Sequence, residues 1–293
     1  MPYQILAILI WGSSFIAAKY SYEMLDAALM VEARLAVAAL IMLPAALRYG
    51  RTLPKSAWKP LAWLAFLNFV VVLMLQFVGV AHTSAASAVT IVGLEPLMMV
   101  FVGHFFFGDK ARGYHWLCGA AAFLGVAMLI GGGAEEGGDV GLFGCLLVLV
   151  AGLVFCFAMR PTQKLIGEIG ASAYTSLALL LSALMCLPFS LVLADNLDIK
   201  WSIGGTASLL YLGIACSWFA YWLWNKGMSR VSANLSGLLI ALEPVCGVLL
   251  AVLLLGEHVS PLSWAGIVLV IGATLCASVL PRWLDSKKAA EAV

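Results

Sequence analysis

Long apolar runs separated by short polar stretches occupy the chain from Tyr3 to about residue 280. Each run is close to the ~20 residues that a helix needs to cross the hydrocarbon core of a bilayer. The runs do not alternate between polar and apolar positions, which excludes membrane-spanning strands. They predict ten transmembrane helices, at 3–21, 27–47, 60–80, 85–107, 114–131, 141–159, 172–193, 206–225, 233–255 and 262–280.

The composition agrees with a chain that lies mostly in lipid. Of its 293 residues, 63% are hydrophobic and 11% are charged, and the mean hydropathy is +1.04. Soluble domains carry about 25% charged residues, so the predicted fold class is an all-α integral membrane protein. A net charge of +1 gives no indication of a nucleic-acid partner. The first run has no basic leader and no small-residue cleavage site, which predicts a retained helix rather than a signal peptide.

Basic residues in the loops predict the orientation of the chain. Lysine and arginine close to helix ends stay on the cytoplasmic side. One set of alternate loops carries thirteen of them, and the other set carries only Lys200. Both termini are therefore predicted to be cytoplasmic, in a bacterial inner (plasma) membrane. The thirteen are Arg48, Arg51, Lys55, Lys59, Lys110, Arg112, Arg160, Lys164, Lys226, Arg230, Arg282, Lys287 and Lys288.

The two halves of the chain repeat each other. A shift of 148 residues places Leu94-Glu95-Pro96 on Leu242-Glu243-Pro244 and Gly108 on Gly256. The pattern predicts a first five-helix repeat at 1–134 and a second at 135–293, which ends in a short cytoplasmic tail. Because five is odd, the second repeat enters the membrane from the opposite side. Inverted repeats are typical of secondary transporters, whose substrate site lies near the midplane between the halves.

Several motifs together resemble a known family. They are Trp11-Gly12-Ser13-Ser14-Phe15 with Lys19, the two Glu-Pro helices, the pairs Gly108-Asp109 and Gly256-Glu257, and the tryptophans Trp116 and Trp264. Over residues 3–280 the chain resembles the EamA-type, ten-helix members of the drug/metabolite transporter superfamily. It departs from that pattern at Asp109, where glutamate is more usual, and in its sixth helix, which lacks a Trp-Gly-Ser element.

The resemblance implies export of amino acids or other small metabolites by alternating access. It also implies a cavity lined by helices 1, 3, 4, 6, 8 and 9. The aromatic content and the short loops favour its YddG-like amino-acid exporters, with aromatic or neutral amino acids as the solutes.

Glu95 and Glu243 are each the eleventh residue of a predicted span of 23 residues. A carboxylate at the centre of a bilayer costs ~2.5–3.5 kcal/mol on insertion scales, so both should face the interior of the bundle. Two interpretations remain open. The carboxylates bind a coupling proton or the ammonium group of the substrate, or they hydrogen-bond neighbouring helices and hold the halves together.

Pro96 and Pro244 have no backbone N–H, so each removes one helical hydrogen bond near the membrane centre. This predicts a bend in the two Glu-Pro helices, either as a hinge that moves during transport or as a fixed kink. With Glu95 and Glu243, these prolines are candidate gating or coupling residues.

Aromatic and polar side chains share helix faces that could line a substrate cavity. The candidates are Trp11, Ser14, Phe15, Gln76, Trp218, Tyr221, Trp222 and Asn225. Aromatic rings with a polar tip suit a flat, partly apolar solute, although tryptophan and tyrosine also form belts at the membrane interface.

Four charged or titratable residues near the predicted outer side have alternative interpretations. Lys19 could attract a substrate carboxylate or reach to the interface as an anchor. His82 could gate by protonation or lie solvated in a short loop. Glu32 and Arg34 are expected to pair with each other or with the surroundings of Lys19.

No phosphate-binding GxxxxGK[ST] motif and no metal-ligand spacing of histidine, cysteine or carboxylate occurs in the sequence. No cofactor, no metal and no ATPase subunit are therefore expected. The expected partners are a small-molecule substrate and the lipid bilayer. The alternative to transport is an intramembrane enzyme that acts on a lipid or isoprenoid. Facilitated and proton-coupled transport, the direction of net transport and the oligomeric state stay open.

Overall fold

A computed structural model describes residues 2–133, 141–230, 236, 239–240 and 242–291. Helices and short connections account for all of these residues, and they contain no strand. The helices are α1 (Pro2–Tyr22), α2 (Ala27–Thr52), α3 (Lys55–Ala81), α4 (Ala85–Phe106), α5 (Gly113–Gly133), α6 (Leu142–Ile169), α7 (Ala171–Leu193), α8 (Ile203–Met228), α9 (Glu243–Leu255) and α10 (Pro261–Glu291).

Within the described ranges, α1 to α8 are long and apolar enough to cross a membrane. The helix α9 and the apolar part of α10, Pro261–Ala277, are shorter apolar helices. Most of residues 231–241, where the predicted segment 233–255 begins, and the predicted boundary between the repeats at 134–135 lie outside the described residues. The all-helical membrane fold is thus confirmed, while the full set of ten spans arranged as inverted repeats stays a prediction.

The helices extend beyond the apolar runs where polar residues continue them. The run at 141–159 predicts an end ten residues too early, because α6 continues to Ile169. Hydropathy marks only the apolar part of a helix, and the last turns of α6 carry Arg160 and Lys164. Gly170 then adopts φ +87°, a left-handed conformation that favours glycine, and separates α6 from α7.

Helices from the two halves of the chain pack against each other. The helix α2 lies along α7, and α5 lies along α10. In addition, α1 packs against α8 and α9, while α6 packs against α3 and α4. In the most apolar window of α4, 83% of the residues are buried, against 33% in α5. The helix α4 therefore runs through the centre of the bundle and α5 lies at its edge.

The central helices are irregular at three places. Phe66–Val71 of α3 and Leu212–Phe219 of α8 are π-helical. The helix α4 is interrupted between its two parts, Ala85–Val92 and Glu95–Phe106, at Gly93 and Leu94. Irregular backbone at membrane depth is tolerated where it is buried in protein or lines a cavity. π-Helical turns are also frequent at functional sites.

The interruption of α4 touches the beginning of α9. A Cβ atom added to Gly93 would lie 2.8 Å from Cγ of Pro244, closer than side-chain carbons approach each other. Glycine is therefore required at this position. The contact joins the two Glu-Pro sequences at the middle of the bundle.

Candidate functional site

A narrow cavity lies at the centre of the bundle. Its water-accessible volume is about 40 Å³. One water needs ~10–15 Å³ on this measure, so the cavity holds a few waters rather than an organic solute. Both halves of the chain contribute to its walls, with side chains from α1, α2, α3, α4, α6, α8 and α9. The lining residues are Trp11, Ser14, Arg34, Val72, Leu73, Gln76, Phe77, Val92, Glu95, Phe155, Tyr221 and Glu243.

Two carboxylates reach this cavity from equivalent positions. Glu95 is the first residue of the second part of α4 and is 6% exposed. Glu243 is the first residue of α9 and is 4% exposed. A helix N-terminus favours negative charge, which helps both carboxylates to lie in the bundle. In the part of the chain that the structure describes, neither has a lysine or arginine within ion-pair distance.

A buried arginine faces the two carboxylates across the same cavity. Arg34 of α2 is 1% exposed, and its Nε donates a hydrogen bond to Oγ of Ser217 at 2.7 Å. Its guanidinium carbon lies 4.5 Å from the centre of the Phe77 ring. The expected pairing of Arg34 with Glu32 or near Lys19 is wrong, because α2 turns Arg34 toward α8. The cost of an arginine inside an apolar run was the sequence signal that could have marked it as a site residue.

Aromatic rings form the remaining wall. Nε1 of Trp11 donates to the carbonyl of Cys216 at 3.1 Å. The Trp11 ring lies 4.8 Å from the ring of Tyr221, centre to centre. Cys216 and Ser217 both belong to the π-helical turn of α8. That turn therefore binds Trp11 through the carbonyl of Cys216 and Arg34 through the hydroxyl of Ser217.

Four predicted cavity residues do not line the central cavity: Phe15, Trp218, Trp222 and Asn225. Phe15 is buried behind the wall, where its ring is 5.9 Å from that of Phe77. Trp218 and Trp222 do not line the cavity. Trp222 lies beside Phe219, with Nζ of Lys226 4.4 Å from its ring. Side chains of adjacent residues in an α-helix point about 100° apart around the helix axis. Because Tyr221 points into the cavity, Trp222 points away from it.

Comparison with known proteins identifies the family. The sequence model described as the EamA-like transporter family matches residues 2–131 and 142–279. The chain belongs to the EamA-like transporter family. It is accordingly a multi-pass membrane protein whose relatives are named as transporters.

Relatives of this EamA-like transporter occur in several bacteria. An "uncharacterized transporter" of Haemophilus influenzae is 52% identical over 141 residues, which are 47% of this chain and 83% of that protein. The "uncharacterized inner membrane transporter YedA" of Escherichia coli is 24% identical over 275 residues, 91% of this chain and 86% of that protein. A solved crystal structure is similar with a TM-score of 0.68 at 20% identity, over 96% of this chain and 97% of that one. That similarity concerns the fold alone.

A second, smaller cavity adjoins the first. Its volume is about 10 Å³, and Phe155 and Tyr221 line both cavities. Nδ2 of Asn68 donates to Oγ1 of Thr162 at 2.9 Å there, and Nδ2 of Asn225 donates to Oγ1 of Thr175 at 2.9 Å. Asn225 thus lies in this smaller cavity. Phe155 and Tyr221 separate the two spaces.

Polar contacts close the bundle at the end predicted to face outward. Nζ of Lys19 donates to the carbonyl of Thr83 at 2.6 Å. The carboxylate of Glu257 accepts hydrogen bonds from the N–H groups of Ala85 and Ala86 at 2.8 and 2.9 Å. His82 is exposed, with its ring 5.5 Å from that of Phe143. Glu257 therefore links the connection after α9 to the first turn of α4.

Different contacts close the opposite end. Arg160 of α6 forms an ion pair with Asp109, which follows α4. Nε2 of Gln163 donates to the carbonyl of Met228 at the end of α8, at 3.1 Å. These contacts join α6 to the connection after α4 and to the end of α8.

Proposed function

We propose that the chain is a secondary transporter that exports small organic metabolites by alternating access, with aromatic or neutral amino acids as its solutes. One observation carries this proposal. The central cavity combines two carboxylates, a guanidinium and aromatic walls, and the two halves of the chain enclose it together. The proposed location is the bacterial inner membrane with both termini in the cytoplasm, in keeping with the basic loops and with the name of YedA.

Matched features of the two halves support a pair of inverted five-helix repeats, 1–134 and 135–293. The π-helical turns occupy corresponding places in α3 and α8. Glu95 and Glu243 each begin a helix with proline as the next residue. Glycines with positive φ, Gly108 and Gly256, follow α4 and α9 at the same interval of 148 residues. The packing of α1 on α8 and α9 mirrors that of α6 on α3 and α4.

In this proposal the small cavity belongs to an occluded state, which has to open to admit a solute. Opening outward requires release of Glu257 from the first turn of α4. Opening inward requires separation of Gln163 from the end of α8 and of Asp109 from Arg160. The interruption of α4 and the start of α9, with Pro96 and Pro244, lie between these contacts and are the proposed hinges.

The chemistry of the walls fits an amino acid. Glu95 and Glu243 offer carboxyl oxygens to an ammonium group. Trp11, Phe77 and Tyr221 offer ring faces to an aromatic or apolar side chain, and Gln76 and Ser14 offer hydrogen bonds. In this proposal the two glutamates bind solute, and coupling to protons is tested separately.

Uptake by purified protein in liposomes tests the proposal. Labelled aromatic and small neutral amino acids are presented with and without an imposed pH gradient. Saturable uptake of at least one of them supports the assigned solute class. Dependence on the gradient that is lost in Glu95→Gln or Glu243→Gln would make those carboxylates coupling groups as well. Failure to take up every amino acid, in protein that remains folded, would refute the solute class.

A further inference from the structure

The guanidinium of Arg34 lies on the cavity wall without an acid to neutralise it. Its Nε is bonded to Ser217, but its Nη1 is buried and has no hydrogen-bond partner. Among the described residues, no aspartate or glutamate is within ion-pair distance of it. A buried charge in a membrane protein is costly and is normally paired. The missing partner is expected to arrive with a ligand.

We propose that Arg34 binds the carboxylate of the transported solute, so that this cavity selects solutes that carry a carboxylate. The inference rests on the proposed transport function and assigns the specificity of the same cavity.

The surroundings of Arg34 hold its guanidinium in one orientation. The hydroxyl of Ser217 fixes Nε, and the ring of Phe77 lies beneath the guanidinium carbon. The Nη end is left as the free donor edge. A planar guanidinium matches a carboxylate with paired, charge-assisted hydrogen bonds, which an ammonium group cannot reproduce.

The polar groups on the cavity wall complement an amino acid. Arg34 supplies a guanidinium, and Glu95 and Glu243 supply carboxyl groups, to one enclosed space. An amino acid satisfies both sides at once. An amine without a carboxylate leaves Arg34 unpaired, so it is expected to bind more weakly than the amino acid from which it derives.

A purely structural role for Arg34 has a different signature. If Arg34 only ties α2 to α8 through Ser217, its replacement lowers stability and weakens all ligands alike. The test therefore compares ligands that differ in the carboxylate alone.

Ligand-induced increases in Tm of the purified protein measure binding without transport. The probes are aromatic and neutral amino acids, the amide of each, the amine that lacks the carboxylate, and phenethyl phosphate. In the wild type we expect each bound amino acid to bind more tightly than its amide or amine. In Arg34→Gln that preference disappears, with amino-acid affinity reduced by at least ~30-fold, as for the loss of one partner of a buried charge pair.

Three variants separate the carboxylate contact from general damage. Arg34→Lys keeps the charge but not the planar fork, and is expected to recover only part of the affinity. Arg48→Gln makes the same chemical change at an exposed position and is expected to bind like the wild type. If Arg34→Gln does not fold, Ser217→Ala replaces it, because it frees the guanidinium and should weaken amino acids more than their amides.

The outcomes are distinct. Equal affinity for amino acids and amides in the wild type, equal losses for both in Arg34→Gln, or no loss at all would overturn the inference. Tighter binding of phenethyl phosphate would replace the carboxylate with a phosphate and overturn it too. Failure of every carboxylate probe to bind would do the same. Carboxylate-selective binding without any uptake into liposomes would instead reject amino-acid export and leave the role of Arg34 in place.

Discussion

The side chain of Glu257 accepts a hydrogen bond from the backbone N–H of Ala85, which lies 172 residues earlier in the chain. The second carboxylate oxygen binds the next amide, that of Ala86. The positive end of the α4 helix dipole lies at the same place, so charge and hydrogen bonding act together. This single side chain holds the connection after α9 against the beginning of the most buried helix.

Glu257→Gln is expected to loosen the first turn of α4. The amide oxygen can still accept one of the two hydrogen bonds, but the NH2 group cannot accept the other. The substitution also removes the charge that favours the helix N-terminus, a contribution of ~0.3–1 kcal/mol or more when partly buried. Hydrogen exchange of a peptide that covers 84–92 should therefore accelerate about 2- to 5-fold. Glu23→Gln, an exposed acid near the same end, is the control and should leave that peptide unchanged. Equal exchange in Glu257→Gln and wild type would show that this contact does not hold the end closed.

Gly93→Ala is expected to destabilise the protein. The new methyl group would press on Pro244, and overpacking of this kind costs ~1–3 kcal/mol. The backbone of Gly93 has φ −57°, which alanine adopts readily, so the effect reports the contacts of the new methyl group, with Pro244 and with the carbonyl of Thr90, rather than backbone strain. The measurement is the Tm of the purified protein.

Gly272→Ala provides the matched control for that experiment. Nothing lies within 4 Å of a Cβ atom at Gly272, and alanine is favoured over glycine inside a helix by ~1 kcal/mol. Its Tm should equal or exceed that of the wild type. A Gly93→Ala protein as stable as Gly272→Ala would refute the close approach of the two Glu-Pro sequences.

Neighbouring aromatic residues of α8 should differ sharply in their importance for the solute. Tyr221→Leu removes a ring and a hydroxyl from the wall of the cavity and is expected to reduce amino-acid affinity about 10-fold or more, as loss of a well-packed aromatic contact does. Trp222→Leu changes a ring that packs on Phe219 and Lys226, and should leave the affinity near that of the wild type. A larger loss of affinity in Trp222→Leu than in Tyr221→Leu would show that Trp222, and not Tyr221, contacts the solute.

Thiol labelling in intact cells tests the predicted orientation. With the exposed native Cys276 replaced by serine, a membrane-impermeant reagent should label Asp198→Cys, which lies in an outer loop by prediction. It should label Lys59→Cys only after the cells are permeabilised. Both positions are exposed, so accessibility within the fold does not bias the comparison. The opposite pattern would invert the topology.

The sequence was sufficient for the features that depend on local pattern. Apolar runs located α1 to α8 to within a few residues at most ends, because a membrane-spanning helix needs a nearly unbroken apolar stretch. The cost of a carboxylate in lipid pointed Glu95 and Glu243 into the bundle, and both line the cavity. Four of the predicted cavity residues also line it: Trp11, Ser14, Gln76 and Tyr221.

The sequence does not predict which side chains point into the cavity where this depends on how one helix is rotated against another. The lining implied by the resemblance omits α2, and the sequence predicts that Arg34 pairs with Glu32 or near Lys19. The direction of Arg34 depends instead on how α2 packs against α8. Trp218 and Trp222 were grouped with Tyr221 on one face, but Trp218 belongs to a π-helical turn. Such a turn changes the phase of the side chains, and no pattern in the sequence marked it. A cavity between the two halves, by contrast, is what the repeat and the family resemblance predict, and both halves line the one observed.

Uptake of a labelled aromatic amino acid into liposomes, measured with the cavity blocked, tests whether the solute crosses the membrane through this cavity. Gln76→Trp places a bulky ring in a cavity of about 40 Å³. Leu253→Trp places the same ring at a position that is 76% exposed and faces away from the interior. We expect saturable uptake by the wild type and by Leu253→Trp, and its loss in folded Gln76→Trp. Equal uptake by both tryptophan variants would show that the solute does not pass through this cavity.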